Sequence, residues 1–556
     1  MKKLVSLLLA ALMVFALFAG AMADNAPDPS LIVPGPKLGD VRVRQALLYA
    51  LDRANFILAQ YGSTDIARVG LAPLSPSSWA FPDESELNAY EFDLEKAAAL
   101  LDEAGWTMGA DGYRYNADGL KLSLTWLVYE DSPWPGTLSS MAYDTWKQIG
   151  VELNISKMDF NTVSEIAMDG KPFEKDFDIY TMGFSLSAEP DPSGALFDYE
   201  AFVEGGFNAS GYYNERAQKL IKDGKSTFDI AERAAIYKEW AKLMNEEVPT
   251  AIVAYRSEIW GVNDRVSGLD LDTYANWVAN IYDGEVTLEG DQILKFGETS
   301  FKGLFNPIYS DTVYDGYIVD LVFEGLVKTS REAEYVPGLA TWELGNENRT
   351  YTFTLTDGIK FSDGTPLTTE DVLYTYMTIA APDYTGPRLY YVSDLEGYKE
   401  YAAGEADTIS GIEVIDEKTI AFTFAEASPA NIANLVASIV PKHIYDDGTM
   451  EGFLSHNFAP VGSGLFVVED YQPGQYILLA ANENYWNPEK AAKIEGIYVT
   501  EVPDASKLPA LQMGEIDFAQ LSANINNANA VKALPDVNLV SYLGNGYTFM
   551  CFNTLR

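Results

Sequence analysis

The sequence predicts an α/β fold. Helical periods alternate with two-residue strand periods along its length, the pattern of layered helices and strands. Its 556 residues are 47% hydrophobic, which allows a large core divided among several domains or lobes. There is a single cysteine, Cys551, so no internal disulfide supplements that core.

Each element has a local reason. An apolar stripe of Val41, Ala46, Leu47, Tyr49 and Ala50 begins at Asp40, and Asp52 restarts the chain. Asp93 reads as the N-cap of a helix running through Ala104 and closed by Gly105. Leu120, Leu122, Leu124 and Trp126 alternate with polar residues as a half-buried strand does. Asn116-Ala117-Asp118-Gly119 before them is a hairpin-turn signal. Tyr143–Ile149 reads as a short helix, after which Val151, Leu153 and Ile155 alternate again. In the second half, Tyr351, Phe353 and Leu355 form an alternating strand. Thr368, with Asp371 three residues on, reads as a capping box opening a helix through Met377. Ile412–Val414 and Ile420–Phe424 are further strands, and no internal repeat is evident.

The first residues read as an export signal. Lys2 and Lys3 precede an apolar run, Leu4–Phe18, and Ala21-Met22-Ala23 fits a small-residue cleavage pattern. The run is about 15 residues, short of the roughly 20 that span a bilayer. Residues 1–23 are thus expected to be a signal peptide and 24–35 a proline-rich flexible leader. Ala21 stands where a lipidated cysteine would be. The expectation is a soluble exported protein in the periplasm or at the cell surface, monomeric and not lipid-anchored. The net charge of −43 disfavours nucleic acid and anionic membrane as partners, and its direct reading is solubility.

Catalytic signals are sparse. The two histidines, His443 and His456, have no zinc-ligand spacing. There is no Gly-x-Ser-x-Gly elbow, P-loop or dinucleotide fingerprint. Paired acids such as Asp446-Asp447 leave a secreted hydrolase as the reading from another class, but such pairs arise by chance among 81 acidic residues. Glu189, Asp191, Ser193, Gly194 and Glu200 fall at calcium-loop spacings, yet prolines interrupt them and no flanking helix pair is evident. No cofactor, no metal and no enzyme activity are expected. The 34 tyrosines, 27 phenylalanines and 10 tryptophans fit a binding protein, whose aromatic walls tolerate varied ligands, although most will be core.

A family resemblance sharpens this. The C-terminal Tyr547–Arg556, joined to Gly35–Leu47, resembles the inter-lobe crossing of the family 5 extracellular solute-binding proteins, the oligopeptide/dipeptide receptors of ABC importers. Residues 36–285 resemble the family's C-terminal half, through Asp40–Arg53, the Phe92–Trp106 helix, Gly183–Pro192, Gly211-Tyr212-Tyr213-Asn214 and Val248–Gly268. Residues 286–556 resemble its N-terminal half, through Gly338-Leu339-Ala340-Thr341-Trp342, Phe361-Ser362-Asp363-Gly364-Thr365-Pro366, Val461-Gly462-Ser463-Gly464 and Asn484-Tyr485-Trp486. The resemblance implies a receptor in circularly permuted order with adjacent termini. Two halves of a longer tandem receptor would read the same way.

The resemblance further implies a two-lobed class II periplasmic-binding-protein fold. Lobe one would be 36–250, with one crossing near Pro249–Tyr255. The core of lobe two would be 251–324 and 461–556, with 325–460 as an inserted subdomain. A peptide, or another small solute such as a sugar, would be captured between the lobes and delivered to ABC permease and ATPase subunits. The implied contacts are Phe184, Ser185, Leu186, Ser187, Glu189 and Asp191 on one lobe. Ser310, Asp311, Thr312 and Tyr314 would contact from the other, with Gly462, Ser463 and Asn553 near the hinge. In the resembled receptors an aspartate pairs with the peptide amine, and Ser187 stands in its place here. That exchange forgoes a charge-assisted bond of roughly 1.5–3 kcal/mol unless Glu189 or Asp191 supplies it.

Overall fold

The computed structural model describes residues 27–130, 132–169, 171–187, 189–190, 196–203, 206–298, 301–310 and 312–556. The expected signal peptide lies outside them. The chain is a mixed α/β structure of two compact units, Met1–Ser257 with Gly544–Arg556, and Glu258–Leu543. It passes between units at Ser257/Glu258 and again at Leu543/Gly544. The expected single crossing is therefore two, and Gly544–Arg556 packs with the first unit rather than in the expected second lobe. The reason is strand pairing. Gly546–Phe552 lies between Ile179–Ser185 and Thr250–Asn263, antiparallel to both.

In the first unit, Ser123–Tyr129 runs parallel to Glu152–Met158 and to Ile179–Ser185. Ala67–Val69 adds to the other side of the strand that starts at Thr250. The caps are where the sequence places them. Asp40, Asp52 and Asp93 accept from the amides of Arg42, Asn55 and Lys96, opening helices Val41–Tyr49, Arg53–Tyr61 and Leu94–Glu103. The helix expected from Tyr143 begins ten residues earlier, at Pro133. Prolines are tolerated in a first turn, whose N–H groups have no partner within the helix. Trp134, Leu138, Ala142 and Trp146 then share one buried face, and Trp146 stacks on Trp126 of the sheet with centroids 5.5 Å apart.

Two buried arginines hold this unit together. Arg44 donates to the carbonyls of Leu38, Gly39, Glu247 and Val248 at 2.7–3.1 Å. Arg53 donates to Gly70 and Ile252 at 2.6 and 2.8 Å and to Ala89 at 2.6 Å. Burial lowers the Arg53 pKa to about 10. It stays protonated at neutral pH, because 10 is well above 7.

The expected flexible leader is pinned at its end. Gly35 N–H donates to Thr554 O at 2.8 Å, and the amides of Lys37 and Leu38 donate to Arg556 O at 2.9 and 2.8 Å. Lys37 pairs with the buried Asp178 carboxylate, which Arg556 also approaches, at 4.0 Å. A Cβ on Gly35 would sit 2.3 Å from the Leu555 carbonyl carbon, so this contact requires glycine.

In the second unit, Ile293–Glu298 is flanked by parallel strands Gly496–Glu501 and Phe518–Leu521. Tyr476–Ala481 and Phe466–Gln472 extend the Gly496–Glu501 side in antiparallel order. Phe518–Leu521 pairs antiparallel with the end of the Thr250–Asn263 strand. A second sheet has the order Ala340–Gly345, Thr350–Leu355, Thr419–Thr423, Ile412–Val414. Helix Thr369–Ala380 opens with the expected capping box between Thr368 and Asp371 and packs Tyr376 on Phe422 at 4.7 Å. The core runs without a break from Trp277, Phe296 and Phe518 to Phe353, Tyr376 and Phe422. Among the described residues, no helix is long and apolar enough to cross a membrane.

Candidate functional site

In the first unit the candidate segment is the end of strand Ile179–Ser185 and the loop that follows. Half-buried Phe184 stacks on Tyr547, its neighbour across the strand pair, at 6.1 Å and 26°. It also meets Phe207 edge-on at 6.4 Å. Asn545 accepts from Leu186 N–H at 2.8 Å and donates through Nδ2 to Leu186 O and Ser187 O at 2.9 and 3.0 Å. The loop is thus fixed by backbone bonds, and the exposed Ser187 hydroxyl donates to Glu189 O at 2.9 Å. Ser185 is half-buried beside them.

Glu189 is already paired within the first unit. Its carboxylate forms a two-pronged ion pair with Arg233, Nη1–Oε2 2.9 Å and Nη2–Oε1 2.6 Å. The side chains are only 4% and 11% exposed for Arg233 and Glu189 respectively. The guanidinium lies over the rings of Tyr237 and Trp79, at 5.3 and 5.7 Å, and donates from Nε to Gly224 O at 2.9 Å. A carboxylate already held by two N–H donors is a poor acceptor for a ligand amine. Asp191 lies outside the described residues, as do Ser193 and Gly194 of the calcium-loop spacing.

In the second unit the candidate segment follows Asn306-Pro307. Asn306 O accepts from Ser310 N at 2.8 Å. The Thr312 hydroxyl caps helix Val313–Val322 by accepting from Asp315 N at 3.1 Å. Asp315 is fully buried and receives the amides of Lys302, Gly303 and Leu304 at 3.1–3.3 Å. Tyr314 is half-buried on the helix's first turn, and Asp311 lies outside the described residues. Ser310 is buried, and its hydroxyl has no partner among the described residues.

Two residues found here carry no signal of their own in the sequence. Tyr384 donates from its hydroxyl to Ile308 O at 2.5 Å and packs edge-on against Tyr309 at 5.0 Å. Arg388 donates from Nη2 to Ser310 O at 2.8 Å. These contacts tie a segment distant in sequence to the candidate loop.

The residues expected near the hinge are buried in the fold. Gly462 and Ser463 are buried beneath the end of helix Val313–Val322, where a Cβ on Gly462 would fall 2.1 Å from Val322 O. Asn553 is buried and donates to Phe177 O at 3.0 Å. Among the described residues, no group of three or more His, Cys, Asp or Glu is placed to hold a metal ion.

Comparison with known proteins matches long stretches of the chain to a family. The family model for "Bacterial extracellular solute-binding proteins, family 5 Middle" matches residues 20–201 and 334–556, well over half of the chain. The chain is 30% identical over 234 residues to the oligopeptide-binding protein AppA of Bacillus subtilis, covering 41% of each protein. It is 28% identical over 239 residues to the dipeptide-binding protein of Escherichia coli, covering 42% of this chain and 41% of that protein. It spans about two fifths of the length of these relatives. The solved structure of the Bacillus subtilis protein with a nonapeptide matches 44% of this chain and 46% of its own, at 25% identity and a TM-score of 0.38.

Proposed function

Because the chain belongs to the family 5 bacterial extracellular solute-binding proteins, we propose that it is the substrate-binding receptor of an ABC importer and that its solutes are peptides. The family match over two long stretches carries this reading. Support for peptides in particular comes from the relatives named for oligopeptide and dipeptide binding. On this reading the protein is exported and hands a bound solute to membrane permease and ATPase subunits.

The contacts proposed for the solute are Phe184, Ser185, Leu186 and Ser187 in the first unit and Ser310, Thr312 and Tyr314 in the second. The aromatic stack of Phe184 on Tyr547 offers an apolar wall indifferent to side-chain identity, as a receptor of varied peptides needs. Ser187 in place of a carboxylate favours peptides held by their backbone over peptides held by their amine. The exchanged order of the two halves belongs to the same proposal, and the hydrogen bonds joining residues 35–38 to 554–556 support it.

Mass spectrometry of solutes released from purified protein by mild denaturation tests the reading. A ladder of peptides is expected. A single sugar or other small molecule would replace the peptide class while leaving the receptor class intact. Turnover of a co-purified compound would overturn both.

A further inference from the structure

Several guanidinium groups among the described residues are engaged by two or more hydrogen bonds or by a carboxylate. Arg44 and Arg53 each hold three or more bonds to carbonyls, and Arg233 holds Glu189. Arg265 pairs with Asp517 and three carbonyls besides. Arg388 differs. It is half-buried, and its guanidinium makes one hydrogen bond among the described residues, from Nη2 to Ser310 O at 2.8 Å. Asp320 acts on it electrostatically, but among the described residues no carboxylate pairs with it.

Arg388 is also held in place before any ligand arrives. Its own amide donates to the Tyr384 hydroxyl at 3.0 Å, and that hydroxyl donates to Ile308 O. Tyr390 and Tyr391 follow directly, with their rings 4.6 Å apart and edge-to-face. The result is a cation that Tyr384, Tyr390 and Tyr391 act on electrostatically, bonded to the carbonyl of Ser310, whose own buried hydroxyl has no partner among the described residues, in the loop already proposed to meet the solute. A guanidinium bound through one N–H of Nη2 keeps its other four N–H donors, so one of its two edges, Nε with Nη2 or Nη1 with Nη2, stays open for a carboxylate, which accepts two parallel N–H bonds. In a protein of net charge −43, an anionic group approaches only where such a cation offsets the surrounding field.

We propose that Arg388 receives a carboxylate of the captured solute, making the receptor selective for ligands with a free acid group. The assignment rests on the receptor reading and adds the class of group recognised. The carboxylate has two sources, the C-terminus of a peptide or a simple organic acid.

The test uses the full protein freed of co-purified solute. It is offered a random tetrapeptide library with free C-termini, the same library amidated, and a panel of di- and tricarboxylic acids. Retained compounds are read by mass spectrometry, and affinities of individual retained compounds by calorimetry. Wild type should retain free-acid peptides over amides, or organic acids over both, and these outcomes separate the two sources. Arg388→Gln should bind the retained compound about 10- to 100-fold more weakly. Arg388→Lys, which keeps the charge without the fork, should recover part of that loss. Circular dichroism and melting of both variants show whether the Ser310 loop still folds. Equal retention of amides, or a folded Arg388→Gln with wild-type affinity, overturns the assignment and leaves the receptor reading standing. A folded wild type that retains nothing from any set, and carries nothing as isolated, overturns both.

Discussion

Changing Glu189 to Gln separates a structural ion pair from a ligand anchor. The pair is two-pronged at 2.9 and 2.6 Å, and both side chains are largely withdrawn from water, 4% exposed for Arg233 and 11% for Glu189. Removing one partner of such a pair leaves an uncompensated buried charge, which costs about 3–5 kcal/mol. Glutamine retains one acceptor, so the lower end, about 3 kcal/mol, is expected. Arg233→Met removes the cation itself. The double variant should therefore lose less than the sum of the two singles, by about 1–3 kcal/mol. Urea unfolding is the assay, with alkylation of buried Cys551 reporting the first unit. A shift below about 0.5 kcal/mol for Glu189→Gln, or strict additivity in the double variant, would refute the reasoning. So would a variant of unchanged stability that no longer captures solute, because Glu189 would then serve the ligand.

Other perturbations probe the last strand and the joined chain ends. Phe549 is fully buried and packs edge-on against Tyr180 at 5.7 Å. Phe549→Ala should cost about 3–5 kcal/mol in urea unfolding of the first unit, and a loss below 1 kcal/mol would contradict a central place for this strand. Burial pushes the Cys551 thiol up to about 12 from an ordinary value of 9.0. Folded protein at pH 8 should resist thiol reagents that label it at once in urea. Below pH 9 both folded and unfolded states keep the proton, and between 9 and 12 only the unfolded state loses it. Stability should therefore fall across that window more steeply in wild type than in Cys551→Ala. Gly35→Ala places a Cβ against the Leu555 backbone and should cost about 1–3 kcal/mol. It should also open residues 27–37 to protease, and an unchanged digestion pattern would show that the ends part without consequence.

Much of the fold was legible because caps and alternation are local. Asp40, Asp52, Asp93 and Thr368 each bond to an amide two or three residues away, so a window of a few residues contains the whole interaction. The start of the Pro133–Gln148 helix was hidden because Pro133, Pro135 and Gly136 resemble a turn. What decides it is the face of Trp134, Leu138, Ala142 and Trp146, which becomes apolar surface to bury only once the sheet exists. The placement of Gly546–Phe552 is not legible in the sequence because both of its partner strands are hundreds of residues away. The candidate segments at Phe184 and Ser310 are legible only through the family resemblance. Their supports, Asn545, Tyr384 and Arg388, bond chiefly to backbone carbonyls, and carbonyls are identical at every residue. No sequence pattern encodes that kind of pairing.

The same distinction bears on how specificity arises in this chain. Folding commits Glu189 to Arg233, Asp315 to three amides and Asp178 to Lys37. The position expected to hold a free carboxylate for a ligand amine is a serine whose hydroxyl is bonded within its own loop. A charged group already satisfied in the folded state gains little from a ligand, since binding must first break what it has. On the proposals made above, discrimination would fall to groups that folding leaves open. In the first unit that is an aromatic surface around Phe184, which favours many side chains alike. In the second it is the guanidinium of Arg388. A receptor arranged so would read the acid end of its solute and tolerate variety elsewhere, the reverse of one anchored on the amine. The free-acid and amide libraries decide between the two orientations, because only the first distinguishes a carboxylate from its amide.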